Sequence, residues 1–337
     1  LICELPVPAA VFDALDQLGP TLLNTAPDRA RATALGLLEV TLPQSPIAQS
    51  PDHLRVPRLL APLLANEPQL PVATLAATAA RTLRALWWDA TDANPSEAQL
   101  LELHRLALAG GENALAAAVA NRLAGRWNRA DQYRYREVID LVTLTVAQNA
   151  NARLWNEIGY AKSQLGEKQA AIDHYQAALA NCPTTEEALR ATILNNLGSI
   201  YSALGEKQEA LRYYNLALPL RRQVGDKGGE ATTLNNLGSI YSALGEKQEA
   251  LRYYNLALPL YRQVGDKGGE ATTLNNLGGV YRSLGDMQEA LRYYNLALPL
   301  RRQVGDKGGE ATTLNNLGSI YSALGEKQEA LRYYNLA

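Results

Sequence analysis

The chain is poor in the residues that usually carry chemistry. Its 337 residues hold two cysteines, Cys3 and Cys182, and one methionine, Met287. Two cysteines cannot frame a disulfide-stapled domain and point to a reducing compartment. The three histidines, His53, His104 and His174, lie far apart, which leaves little from which to build a metal centre or a histidine-based catalytic site. No apolar run reaches the roughly 18 residues of a membrane span. The start, Leu1 to Pro8, carries Glu4 and no basic stretch, unlike a secretory leader. Charge of one sign is also missing: 32 Lys and Arg against 34 Asp and Glu leave a formal −2, which argues against a nucleic-acid or anionic-membrane surface. GxxxxGK[ST], GxSxG, HExxH and CxxC are all absent; the expectation is a cytoplasmic, non-catalytic protein that needs no cofactor or metal. The missing initiator Met points to a piece of a longer chain.

What is present is unevenly distributed. Eleven of the sixteen prolines lie in the first 71 residues, no lysine precedes Lys162, and all four tryptophans precede residue 156. Beyond that point the sequence repeats itself. Leu194–Gly205, Leu234–Gly245 and Leu314–Gly325 each read LNNLGSIYSALG, and Leu274–Gly285 reads LNNLGGVYRSLG. Gly198, Gly238, Gly278 and Gly318 are spaced by 40 residues, and a divergent copy places Gly159 39 residues before Gly198. Five copies thus fill 152–337, the last one cut short at Ala337.

Each copy reads as two helices. Ala231, Leu234, Leu237, Ile240, Tyr241 and Leu244 follow the spacing of an amphipathic helix over Glu230–Leu244. Gly245 ends it, and a second helix from about Lys247 sets Ala250, Leu251, Tyr254, Ala257 and Leu258 on its inner face. Val264–Glu270, VGDKGGE, reads as the turn to the next copy. Gly238 and Ala250 stand where two helices must approach closely. Pro219, Pro259 and Pro299 fall inside the second helices, where a kink rather than a stop is expected because the apolar spacing continues beyond them.

This pattern resembles the tetratricopeptide repeat. The first copy carries Trp155, Ile158, Gly159, Leu165, Gly166, Ala171, Tyr175, Ala178 and Pro183 at that family's spacing, with Lys162 in place of a tyrosine. Later copies keep Leu197, Gly198, Tyr201, Gly205, Ala210, Tyr214 and Ala217, lose the Trp and closing Pro, and are six residues longer. They are similar to the kinesin-light-chain and Pins-like branch. The resemblance implies an all-α, right-handed superhelical solenoid whose first helices line a concave groove. It places in that groove Thr192, Asn195, Asn196, Ser199 and Ser202, then Thr232, Asn235, Asn236, Ser239 and Ser242. Thr272, Asn275, Asn276, Gly279 and Arg282 follow, then Thr312, Asn315, Asn316, Ser319 and Ser322. Amides and hydroxyls at a fixed period suit the backbone of an extended peptide. The second Asn of each pair does this in relatives; hydrogen bonding between helices is the competing use. The cations of a carboxylate clamp are absent. Arg282, beside Gly279, is the one charge in the ladder and the candidate for discriminating ligands.

Ahead of the array, 67–151 reads as a helical linker and irregular repeats: one helix over 70–90 and three over 96–150, with Ser96 an N-cap. Residues 1–66 read as a winged-helix-like domain: a helix opened by Pro8, another from Arg29 to Leu38, strands at Glu39–Leu42 and Leu54–Val56, and a final helix from Pro57. Its four arginines against six carboxylates make a poor phosphate-binding surface. LPVPAAVFDAL, RATALGLLEV and LRVPRLLAPLL resemble the winged-helix segment of STAND signalling ATPases. That resemblance implies a sensor arm with an ATPase domain in cis; Pro57 stands where many relatives place a histidine that contacts bound ADP. The alternative is a free-standing adaptor.

Overall fold

The computed structural model describes residues 7–8, 39–41, 53–55, 72–90, 94–129, 133–149 and 151–337. The chain divides into two compact units, 1–165 and 166–337.

In the first unit, β1 (Val7–Pro8), β2 (Glu39–Thr41) and β3 (His53–Arg55) form an antiparallel sheet in the order β1-β3-β2. Val7 and Val40 lie opposite Leu54 from its two sides. Pro8 closes an edge strand, a place where a missing N–H is tolerated. The helices expected around this sheet lie outside the described residues.

Among the described residues five helices follow: α1 (Val72–Trp87), α2 (Glu97–Ala109), α3 (Asn113–Trp127), α4 (Tyr135–Val146) and α5 (Ala152–Gln164). Ser96 starts α2 through a capping box: its hydroxyl takes the Gln99 N–H while the Gln99 side chain takes the Ser96 N–H. Leu83, Leu103, Leu123, Val142 and Leu154 are fully buried in one core, with Trp87 and Trp88 packed against it. Trp127 is anchored at its polar end, its Nε1 donating to Glu97 at 3.0 Å, and Arg134 lies 4.3 Å above its ring. His104 is buried against α4, 2.8 Å from Thr145 Oγ1. The Thr145 proton goes to the Leu141 carbonyl, so His104 Nε2 is the donor in this pair.

The second unit is built from repeated helices: α6 (Lys168–Ala180), then the pairs α7 (Glu187–Leu204) and α8 (Lys207–Gln223), α9 (Lys227–Leu244) and α10 (Lys247–Val264), α11 (Lys267–Ser283) and α12 (Met287–Gln303), and α13 (Lys307–Ala323) and α14 (Lys327–Leu336). Inside each pair the glycine of the NLG triplet faces a tyrosine ring. A Cβ on Gly238 would sit 2.7 Å from Tyr254, closer than carbon atoms pack, and Gly198, Gly278 and Gly318 stand against Tyr214, Tyr294 and Tyr334 in the same way. The absence of a side chain therefore sets the distance between the two helices.

The inter-repeat segments are shorter turns than expected. The sequence VGDKGGE reads as loop, yet α11 begins at Lys267 and includes Gly268 and Gly269. The Asp266 carboxylate caps the helix by accepting the Gly269 N–H at 2.8 Å, which offsets the poor helix propensity of the glycines. Within this segment only Gly265, at φ 74°, has a positive φ. Helices α8, α10 and α12 run through Pro219, Pro259 and Pro299. Each proline is on the exposed side, as is the residue four positions back whose carbonyl it releases to water.

Candidate peptide-binding face

The paired asparagines stand about two turns inside each first helix, and the structure gives the two members different work. Asn195 Oδ1 accepts from Thr233 Oγ1 at 3.3 Å and from Asn236 Nδ2 at 3.4 Å, both on the next first helix. Asn235 takes Thr273 and Asn276 at 3.1 and 3.3 Å. Asn275 takes Thr313 and Asn316 at 3.3 and 3.2 Å. The first Asn is thus a bracket between repeats. Thr233, Thr273 and Thr313 are fully buried, and each hydroxyl also reaches its own helix, at 2.9 Å from the carbonyls of Gly229, Gly269 and Gly309.

In the last three copies the second Asn also serves the array. Asn236, Asn276 and Asn316 donate from Nδ2, and among the described residues their Oδ1 atoms accept no hydrogen bond. All three are half-buried. Asn196, Ser199, Asn236, Ser239, Asn276, Gly279, Asn316 and Ser319 recur three residues apart within each helix, a spacing that puts each pair on one helix face. Asn195, Asn235, Asn275 and Asn315 sit beside them. Thr192, Thr232, Thr272 and Thr312 bond back to carbonyls four residues earlier. Arg221 and Arg301 tie Thr192 and Thr272 to the ends of the second helices, each at 2.9 Å; Tyr261 replaces the arginine in the intervening copy and reaches Thr232 at 3.3 Å.

Tyr214 and Tyr254, buried on the second helices, are hydrogen-bonded to Ser199 and Ser239; burial pushes both phenols up to about 12. In the third 40-residue copy the serine is Gly279, and Tyr294 has no such partner. Arg282 is exposed and forms no ion pair among the described residues. It is close enough to Tyr294 to pull that phenol down, against the larger upward effect of burial.

Two further periodic features escaped the sequence reading. Tyr201 stacks on Tyr213 at 5.3 Å and 9°, and Tyr241/Tyr253, Tyr281/Tyr293 and Tyr321/Tyr333 repeat the arrangement. Arg212, Arg252 and Arg292 lie 4.1, 4.1 and 4.2 Å over the outer rings. Glu230 and Glu270 are buried carboxylates, each held by an Arg and a Lys. Burial alone would raise them, but these cations leave both below the usual carboxylate range. Identical spacing in every copy was the available signal, but the contacts join different helices and become visible only in three dimensions.

Among the described residues no His/Cys/Asp/Glu cluster could hold a metal ion, and no helix is long and apolar enough to cross a membrane. Cys182 is buried, near the carbonyls of Pro183 and Glu186.

Models of the tetratricopeptide repeat match residues 152–185, 189–263 and 269–337, together more than half of the chain. The chain belongs to the tetratricopeptide-repeat family. Such repeats are protein-interaction modules and generally non-catalytic. No curated protein matches the chain in sequence. Among solved structures it is similar in fold to a signal transduction ATPase with numerous domains (STAND) that has a tetratricopeptide repeat sensor, from Pyrococcus horikoshii. That match has TM-score 0.56 and 16% identity, and covers 98% of this chain but 47% of that one. It is also similar to a Rap protein complexed with competence and sporulation factor, at TM-score 0.54 and 18% identity over 83% of this chain and 75% of that one. Pseudomonas aeruginosa PilF matches at TM-score 0.52 and 16% identity, over 66% of this chain and 90% of that one. At these identities the likeness is one of fold.

Proposed function

We propose that the first-helix face of the tetratricopeptide-repeat array captures an extended peptide, with Asn196, Asn236, Asn276 and Asn316 as its backbone-binding residues. The observation that carries this reading is the division of labour within each Asn pair. Asn195, Asn235 and Asn275 hold neighbouring repeats together, while the side-chain oxygens of Asn236, Asn276 and Asn316 are left open at a 40-residue period. An unpaired half-buried carbonyl gains by accepting a peptide N–H. Ser199, Ser239 and Ser319 add hydroxyls beside them, and Arg282 adds the charge.

The array is further proposed to be the sensor of a bacterial, cytoplasmic STAND-type switch, with 1–66 as its winged-helix segment and an ATPase domain in cis. The fold likeness to the Pyrococcus protein over 98% of this chain, and over less than half of that protein, supports the reading. So does the antiparallel pairing of Glu39–Thr41 with His53–Arg55. Ligand capture would then act by binding one conformation better than the other. The coding sequence upstream of Leu1 tests this: a phosphate-loop motif there carries the switch reading, and a start codon close by leaves a free-standing adaptor. Peptide capture is tested separately. Replacing Asn196, Asn236, Asn276 and Asn316 by Ala is expected to abolish capture with helicity retained; unchanged capture contradicts the proposal.

A further inference from the structure

The near-identical copies act as controls for one another, and one of them departs from the rest at the binding face. In the copies of α7 and α9 the buried tyrosine of the second helix is capped by a serine on the first, Tyr214 by Ser199 and Tyr254 by Ser239. In α11 that serine is Gly279. Tyr294 is 1% exposed, and the serine that faces its siblings is missing beside it. The hydroxyl is aimed at the gap: a Cβ on Gly279 would lie 3.7 Å from it. A phenol that loses its serine neighbour gains by finding another acceptor.

The second departure is one turn further along the same helix. Arg282 replaces the serine found at Ser202, Ser242 and Ser322. Three residues from Gly279, it lies on the same helix face. It is exposed, with no ion-pair partner among the described residues. Asp286, four residues on, is engaged in capping α12 through the Glu289 N–H at 3.0 Å. A missing side chain and a cation have replaced two serines, beside a phenol that the sibling copies also carry.

We infer that Gly279, Arg282 and Tyr294 form an anion subsite that takes a carboxylate of the bound peptide, with the Tyr294 hydroxyl and the Arg282 guanidinium as its two donors. One oxygen of the carboxylate fills the space of the absent serine and accepts from Tyr294; the other accepts from Arg282. Charge-assisted bonds of this kind outweigh the neutral serine contacts of the other copies. The subsite therefore sets which peptide residue stands opposite the third 40-residue copy. It rests on the peptide-capture reading above and adds the chemistry of one position.

The test exploits the siblings. The double variant Gly279→Ser/Arg282→Ser restores residues that the other copies already tolerate, so it keeps the fold. Tyr294→Phe removes one hydroxyl and keeps the packing against Gly278. Synthetic libraries of random peptides, one with free C-terminal carboxyls and one with C-terminal amides, are selected on the full chain. The expected result is enrichment of Asp or Glu at one fixed position. The selected peptides should then bind the double variant about tenfold more weakly, and Tyr294→Phe several-fold more weakly. Enrichment in both libraries assigns the anion to a side chain; enrichment in the free-carboxyl library alone assigns it to the C-terminus. Peptides that lack an acidic position yet are selected equally from both libraries, or acidic peptides that bind both chains equally, overturn the subsite while leaving peptide capture standing. No enrichment at all overturns peptide capture, and the subsite with it.

Discussion

Asn235 and Asn276 sit on consecutive first helices and share one hydrogen bond, from Asn276 Nδ2 to Asn235 Oδ1 at 3.3 Å. The donor end of Asn276 is thereby spent on the array while its oxygen is left for a ligand. Two residues of the same type thus carry separable roles. Asn235→Ala strands the Asn276 amide and removes one of two acceptors for buried Thr273, and should cost about 1–3 kcal/mol. Asn236→Ala leaves no such pair of buried donors behind. Thermal melts of the two variants should show the larger fall for Asn235→Ala; the reverse order would contradict the bracket.

Close approach at the NLG glycines gives a second expectation. A methyl group at Gly238 has nowhere to go but into the Tyr254 ring, which is itself 2% exposed. Gly238→Ala should destabilise the array by about 1–3 kcal/mol despite the better helix propensity of alanine. Urea titration followed by circular dichroism reads this directly. A neutral or stabilising result would mean that the helices can separate without cost.

The aspartate caps should be unequal. Asp226 accepts the Gly229 N–H and also pairs with the largely buried Arg221. Asp266 makes the same cap, but Tyr261 stands where the arginine would be. Asp266→Ala should cost about 1 kcal/mol, and Asp226→Ala more, because it also leaves Arg221 unpaired. Equal losses would remove any role for the ion pair.

His104 makes the first unit sensitive to acid. Burial lowers its pKa from 6.5 to about 4. Both states are neutral above pH 6.5; as pH falls toward 4 the unfolded chain takes up the proton first, so stability declines across that window. The full loss below both values is about 3 kcal/mol. His104→Gln keeps a donor for Thr145 and should flatten the difference between melts at pH 7 and pH 4.5. An unchanged pH dependence would place the titrating group elsewhere.

The repeat period, the two helices of each copy and their inner faces were legible in the sequence because four copies state the same pattern. What it hid were relationships between helices. The VGDKGGE segment reads as loop by composition, and only the Asp226 and Asp266 caps show why two glycines can open a helix. The asparagine pair presented two identical amides; their different fates depend on Thr233 and its equivalents, one helix away. The Tyr201/Tyr213 stack joins residues 12 apart in sequence that no helical face unites. Gly279 and Arg282 were visible as departures from the repeat, but the buried phenol that connects them belongs to α12.

The most direct test of the central claim is calorimetric titration of a selected peptide into the wild-type chain and into the Asn196/Asn236/Asn276/Asn316→Ala variant, with melting followed in parallel. A peptide that binds the wild type and is lost from the variant, with the helical transition retained, is the predicted result. Equal affinity for both chains would contradict the account.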